Sequence, residues 1–187
     1  MDIGKPKTII QEITDINRKN MVVKSAFKII NEAYSSIGGL KSRGMNTPEE
    51  MAINSHSIIL LKTKGKITCA IVTKEVITND YNIKKIVALA TDGTADAKKD
   101  LAKNIGPLLE HMCIEVSGSA ERFIRRAIGD DEFSKISVPA ELVPEILNKN
   151  TRPTGENNFR YQRTLSDGST CIKTLIGNIE ESMDAIV

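Results

Sequence analysis

Ile86-Val87-Ala88-Leu89-Ala90 is an unbroken apolar run that stands between Tyr81-Asn82 and the turn Asp92-Gly93-Thr94. So short a run, closed by a glycine turn, predicts a strand buried on both faces. Past the turn, Ala97, Leu101, Ile105, Leu108 and Met112 recur at helical spacing, with Pro107 inside the stripe, which predicts a helix kinked near Asn104. Cys113-Ile114-Glu115-Val116-Ser117 then alternates like a strand. After Gly118-Ser119, the positions Ala120, Phe123, Ile124 and Ala127 define another amphipathic helix that ends at Gly129. Strand, helix, strand and helix in succession imply a mixed α/β chain built on one sheet.

Working outward, Val23, Phe27, Ile30, Tyr34 and Ile37 form one helical stripe over Met21 to Ile37, closed by Gly38-Gly39 and a polar loop Lys41-Ser42-Arg43-Gly44. Thr47-Pro48-Glu49-Glu50 carries a cap, a proline suited to the first helical position and the acid of a capping box, so a short second helix is expected through Asn54. Ser57 to Lys62 and Lys66 to Thr73 are β-prone and flank Thr63-Lys64-Gly65, which predicts an antiparallel hairpin. Downstream, Pro139 opens a helix with Leu142, Val143, Ile146 and Leu147 inward, residues 148–158 read as a loop, and Phe159 to Leu165 with Thr170 to Ile176 read as a closing hairpin. Residues 1–19 are expected as an N-terminal extension and 20–187 as a single domain, with a single mixed, mostly antiparallel sheet flanked by helices.

Composition excludes more than it assigns. The 187 residues carry 26 Lys and Arg against 24 Asp and Glu, a net charge of +2, too small a field to argue for nucleic acid or acidic lipid. No apolar run approaches a membrane span and no secretory leader is visible at Met1 to Lys5, so a cytoplasmic protein without a membrane partner is expected. Three widely spaced cysteines, Cys69, Cys113 and Cys171, lack a CxxC pair and read as small core residues. Two histidines do not make a His-rich metal site, no metal ligand is assigned, and neither a Walker A sequence nor GxSxG is present.

The order of elements, with the core from Val87 to Gly129, resembles the GCN5-related N-acetyltransferase (GNAT) fold, in a divergent form of the kind carried by bacteriophages. The resemblance covers most of residues 20–177 and rests on layout. It implies acyl transfer, an acetyl group passing from acetyl-CoA as co-substrate to a primary amine of a small molecule or protein. In that family the turn after the central strand holds the pyrophosphate of the cofactor on backbone amides and a helix N-terminus. Here the turn is Thr91-Asp92-Gly93-Thr94-Ala95-Asp96-Ala97-Lys98-Lys99. The resemblance therefore places Leu89, Thr91, Gly93, Thr94 and Lys98 against the cofactor, with Asp92 and Asp96 as repelling acids. The later family pattern Asn-x-x-Ala-x-x-Phe-Tyr is matched by Ser117, Ala120 and Phe123, which adds Phe123 to the cofactor contacts; Ile124 stands where the family often has a proton-donating Tyr.

Acyl transfer needs a base for the ammonium. Glu115 shares a strand face with Cys113 and Ser117, and an inward, partly desolvated Glu has its pKa raised, so Glu115 and Ser117 are the expected catalytic pair. Tyr34, Tyr161 and Cys113 are candidate replacements for the acid. Arg122, Arg125, Arg126, Lys98, Lys99 and Lys103 put six cations on two helices, for phosphate or simply for water. Aromatic residues are only 4% of the chain and none interleaves those cations, which argues against a base-stacking nucleic-acid platform. The same layout also admits a GNAT-like binding module that has lost catalysis and acts through protein partners. The last hairpin offers an edge at which two copies can form a homodimer.

Overall fold

A computed structural model describes residues 4, 7–35, 44–138, 151–153, 160–164 and 167–181. The chain is α/β, with a mixed sheet flanked by helices. It divides into two compact units, Met1–Lys74 with Ile86–Leu101, and Glu75–Lys85 with Ala102–Val187.

In the first unit β1 (Ile9–Ile13), β2 (Ser57–Thr63) and β3 (Lys66–Ile77) form antiparallel pairs, with Ile9 opposite Lys62 and Ser57 opposite Thr73. The β2–β3 turn is two residues long. Lys64 and Gly65 both hold positive φ, 53° and 75°, the geometry whose twist matches that of the flanking strands. The far end of β4 (Tyr81–Thr91) adds Ile86, Ala88 and Ala90 to the core. That strand alternates, with Val87 and Leu89 only half-buried, and is not buried on both faces as the apolar run suggested.

Helix α1 (Ile16–Tyr34) is capped by Asp15, whose carboxylate accepts from Arg18 N at 3.0 Å, and it buries Val23, Ala26 and Ile30. Residues 1–19, expected as an extension, thus contain a strand paired to β2 and the first turn of a helix. α2 (Pro48–Asn54) starts as its cap predicts: Thr47 Oγ1 accepts from Glu50 N at 3.1 Å. The return bond from Glu50 goes one residue further out, to Asn46 N at 2.8 Å. Lys19 is buried, and its ammonium donates to Ser55 O at 2.8 Å, just past the last turn of α2. Burial pushes that ammonium below the ordinary lysine range.

The second unit is built on β5 (Cys113–Val116), β8 (Thr170–Gly177), β7 (Arg160–Thr164) and β6 (Thr151–Pro153), neighbours in that order and antiparallel from β5 onward. The two-residue β9 (Glu180–Glu181) pairs with the start of β4. The closing hairpin is therefore present as β7 and β8, and β6 occupies part of the expected 148–158 loop. The helix expected from Pro139 and the loop from Gly38 to Arg43 lie outside the described residues.

α3 (Ala95–Leu109) runs through Pro107 without interruption. Pro107 has no N–H to give Lys103 O, so the helix loses that one bond and continues two residues further. Its last carbonyls are taken up by Asn178: the backbone N–H reaches Leu109 O at 3.0 Å, and the side-chain amide reaches Glu110 O at 2.7 Å. α4 (Gly118–Ile128) stops at Gly129, where φ is 86°, and α5 (Asp130–Ile136) follows at once, its Phe133 buried. Beyond α5, Val138 N donates to Leu175 O at 2.9 Å.

Candidate functional site

The sequence-predicted residues fall in two places. Leu89, Thr91, Gly93, Thr94 and Lys98 belong to the first unit, while Glu115, Ser117 and Phe123 belong to the second.

In the first unit the amides of Gly93, Thr94, Ala97 and Lys98 are already engaged. Asp92 Oδ1 accepts from Thr94 N at 3.0 Å and from the Thr94 hydroxyl at 2.6 Å. Thr91 Oγ1 accepts from Gly93 N at 3.2 Å, and Thr94 Oγ1 accepts from Ala97 N at 3.2 Å. This is an Asx turn feeding a helix cap. The Thr94 hydroxyl, then its amide, hold the Asp92 carboxyl below its ordinary value of 3.8, with Lys66 adding a distant pull at 3.8 Å. Asp92, expected as a repelling acid, is instead the anion at this turn. Asp96 is exposed in the first turn of α3, and Lys98 is exposed with its backbone N–H spent on Thr94 O.

Upstream, the Tyr34 hydroxyl lies 3.2 Å from Leu89 N and 3.4 Å from Leu89 O. The backbone of Leu89 is thereby covered by a side chain from the end of α1. Tyr34, named as a spare acid, serves as a hydrogen-bonding plug here.

In the second unit Glu115 is the centre of a charged cluster. Its side chain is 8% exposed. Oε2 accepts from the Tyr161 hydroxyl at 2.8 Å and from Arg163 Nη1 at 2.7 Å, while Oε1 is bonded by Lys85 Nζ. Strand register builds this. Tyr161 and Arg163 alternate onto one face of β7, and Glu115 alternates with Cys113 onto the same face of β5, with β8 between. Burial pushes the Tyr161 phenol up, so it remains a donor. The same burial takes the Cys113 thiol to about 12, which leaves it a packed thiol and no acid at neutral pH. Two cations and a phenol thus surround the Glu115 carboxylate.

The other face of β7 carries a second pair. Arg160 Nη2 donates to Glu121 Oε1 of α4 at 2.7 Å, and Arg125 approaches the same oxygen at 3.5 Å while lying 4.4 Å over the Phe133 ring. Of the cations expected on wet helix faces, Arg122 and Arg126 are exposed and Arg125 is committed to this packing. Thr174, opposite both Val116 and Arg160, is fully buried, and its hydroxyl has no partner among the described residues.

Ser117 sits half-buried at the N-cap position of α4 and makes no side-chain cap bond; Phe123 is half-buried on the same helix. Lys85, Arg163, Arg160 and Glu121 escaped the sequence reading. The available signal was β7 itself, where Arg160-Tyr161-Gln162-Arg163 puts cations on both faces of a strand destined for the interior.

Among the described residues no group of three or more His, Cys, Asp or Glu stands close enough to hold a metal ion, and no helix is long and apolar enough to cross a membrane. Compared with known proteins, the chain matches no family model, and no curated protein matches its sequence.

Proposed function

We propose that this chain is a GNAT-like fold working as a binding module for a protein partner, resident in the cytoplasm, and not as an acetyl-CoA enzyme. What carries this reading is the Asp92 carboxylate, which takes the Thr94 amide and hydroxyl that a pyrophosphate would otherwise receive. The cover of Tyr34 over Leu89 and the ion pairs of Glu115 point the same way. Residues so engaged do not fit a diphosphate, because a ligand would have to displace one anion with another at the same donors. Calorimetry with acetyl-CoA and CoA at about 1 mM is expected to show no saturable heat, and a dissociation constant below about 0.1 mM would overturn the reading.

The second reading, an acetyltransferase acting on a primary amine, is favoured by the element order. β4, α3, β5 and α4 follow one another as the resemblance requires. It needs Glu115 released from Lys85 and Arg163 before the carboxylate can accept a proton, with Ser117 beside it. The same titration separates the two readings.

A further inference from the structure

Between α3 and the pair α4 and α5 runs an open groove of about 310 Å³, lined by Ala102, Gly106, Ala127, Ile128 and Ile136. All five belong to the second unit, and each is only half-buried, so the groove keeps apolar surface in water. On its α3 wall Lys103, Gly106, Pro107 and Glu110 follow at i, i+3, i+4 and i+7, one stripe of the helix and its closing turn. Lys103, Pro107 and Glu110 are exposed.

Charge is left over at both ends of that stripe. Among the described residues neither Lys103 nor Glu110 has an ion pair, whereas Glu132, the third charged residue of the groove, is held by Lys135 at 3.0 Å. Glu110 also stands just past the C-terminal end of α3, where the helix backbone is itself negative and the last turn carries no basic residue. A carboxylate placed there gains from a cation that its own helix does not supply. Lys103 does not reach it within the chain, because seven residues span about 10.5 Å along a helix axis.

The two ends complement each other in reverse order. Their midpoint falls between Gly106 and Pro107, so a second α3 laid antiparallel across that point sets Lys103 of each copy against Glu110 of the other. The same operation lays each Pro107 ring over a Gly106, where no side chain stands in the way of close helix packing. A Cβ at Gly106 would lie 3.5 Å from Ile128 Cγ2, which makes Ile128 the wall of that dimple. The closing hairpin, where the sequence offered an edge for a homodimer, has both its strands paired, β7 to β6 and β8 to β5.

We propose that this face is a two-fold self-docking surface: two copies of the chain join through antiparallel α3 helices, two Lys103–Glu110 pairs bridge them, and the groove beside α3 is closed by the other copy's Pro107 ring and Lys103 stem. An interface with the same patch on both copies is the isologous kind that closes on itself as a dimer. The inference goes beyond the binding-module reading. A monomeric chain would remove it and leave that reading standing, and CoA binding would do the reverse.

Sedimentation equilibrium of the full chain from about 1 to about 500 μM is expected to show a reversible monomer–dimer equilibrium with a dissociation constant on the order of 10–100 μM. K103E and E110K each set like charges together twice per dimer and should raise that constant at least about tenfold. The double variant K103E/E110K keeps the pairing with its signs exchanged, and should return to within about threefold of wild type. E110K also puts a cation at the end of α3, so its thermal midpoint should not fall while its dimer weakens. A wild type that stays monomeric at about 500 μM, single variants that dimerise as tightly as wild type, or a folded double variant as weak as the singles overturns the proposal. Should a variant not fold, zero-length carbodiimide crosslinking of an equal mixture of ¹⁴N and ¹⁵N wild-type chains decides. A mixed-isotope Lys103–Glu110 crosslink is expected in the covalent dimer, and its absence refutes the surface.

Discussion

Replacing Glu115 with Gln tests the electrostatic reading of the second unit directly. The substitution keeps the shape and leaves an amide oxygen for the Tyr161 hydroxyl, but it takes from Lys85 and Arg163 the carboxylate they share. Breaking a buried ion pair from one side costs about 3–5 kcal/mol. Arg163 is 32% exposed and Lys85 is 17% exposed, so water recovers part of that loss and the lower end, about 3 kcal/mol, applies. For a chain of this length each kcal/mol moves the midpoint by about 2–4 °C, so E115Q is expected to melt about 6–12 °C below wild type. Pairing it with Lys85→Met removes one of the two cations that share the carboxylate. The double variant should therefore lose about 1–2 kcal/mol less than the sum of the two single losses, the signature of coupled neighbours. Urea and thermal melts followed by circular dichroism measure both quantities. An E115Q protein within about 0.5 kcal/mol of wild type, or single losses that simply add, would show that Glu115 is a solvated strand carboxylate and that the cluster does nothing for stability.

Gly177→Ala should be far worse than an ordinary glycine substitution. A Cβ there would sit 2.1 Å from Met112 O and 2.6 Å from Cys113 Cα, both backbone atoms, at a φ of +118°. We expect a loss of more than about 3 kcal/mol or no soluble protein, and a variant that folds with a wild-type melt would refute the tight β5–β8 register. Asp92→Asn addresses the turn. Because the folded-state carboxyl is held below 3.8 by Thr94, the wild type gains stability from it above that value and loses it as pH falls through the lower folded pKa. Wild type should thus lose about 1 kcal/mol on acidification below pH 4 that D92N does not, and parallel acid denaturation curves would show that the Asx turn contributes nothing.

How much of this could be foreseen followed the sequence distance of the contacts. The Thr47 cap of α2 and the Lys64-Gly65 turn were readable because each is a local solution, made between residues a few positions apart. β1 was missed because only Ile13 of its five residues is buried; an outermost strand has no clear alternation, and its partner residues begin at Ile58. α5 was missed because seven residues with a single buried anchor, Phe133, carry no period to detect. The Glu115 cluster lies at the far limit. Its partners are 30, 46 and 48 positions away, and shifting β7 by one residue would send Arg163 to the other face.

The turn at Asp92 is the instructive failure, since its answer was local. An Asp two residues before a Thr, with Gly between, can close an Asx turn on the amide of that Thr, and a Thr three residues before a helical N–H can cap it. Counting Asp92 only as a negative charge predicted repulsion of a diphosphate; its hydrogen-bonding geometry predicts something stronger, that the Thr94 amide and hydroxyl are already taken. Repulsion can be offset by a nearby cation such as Lys66. A carboxylate already bonded at 3.0 and 2.6 Å must first be displaced, so adding positive charge near α3 is not enough to create a phosphate site there unless Asp92 is removed as well.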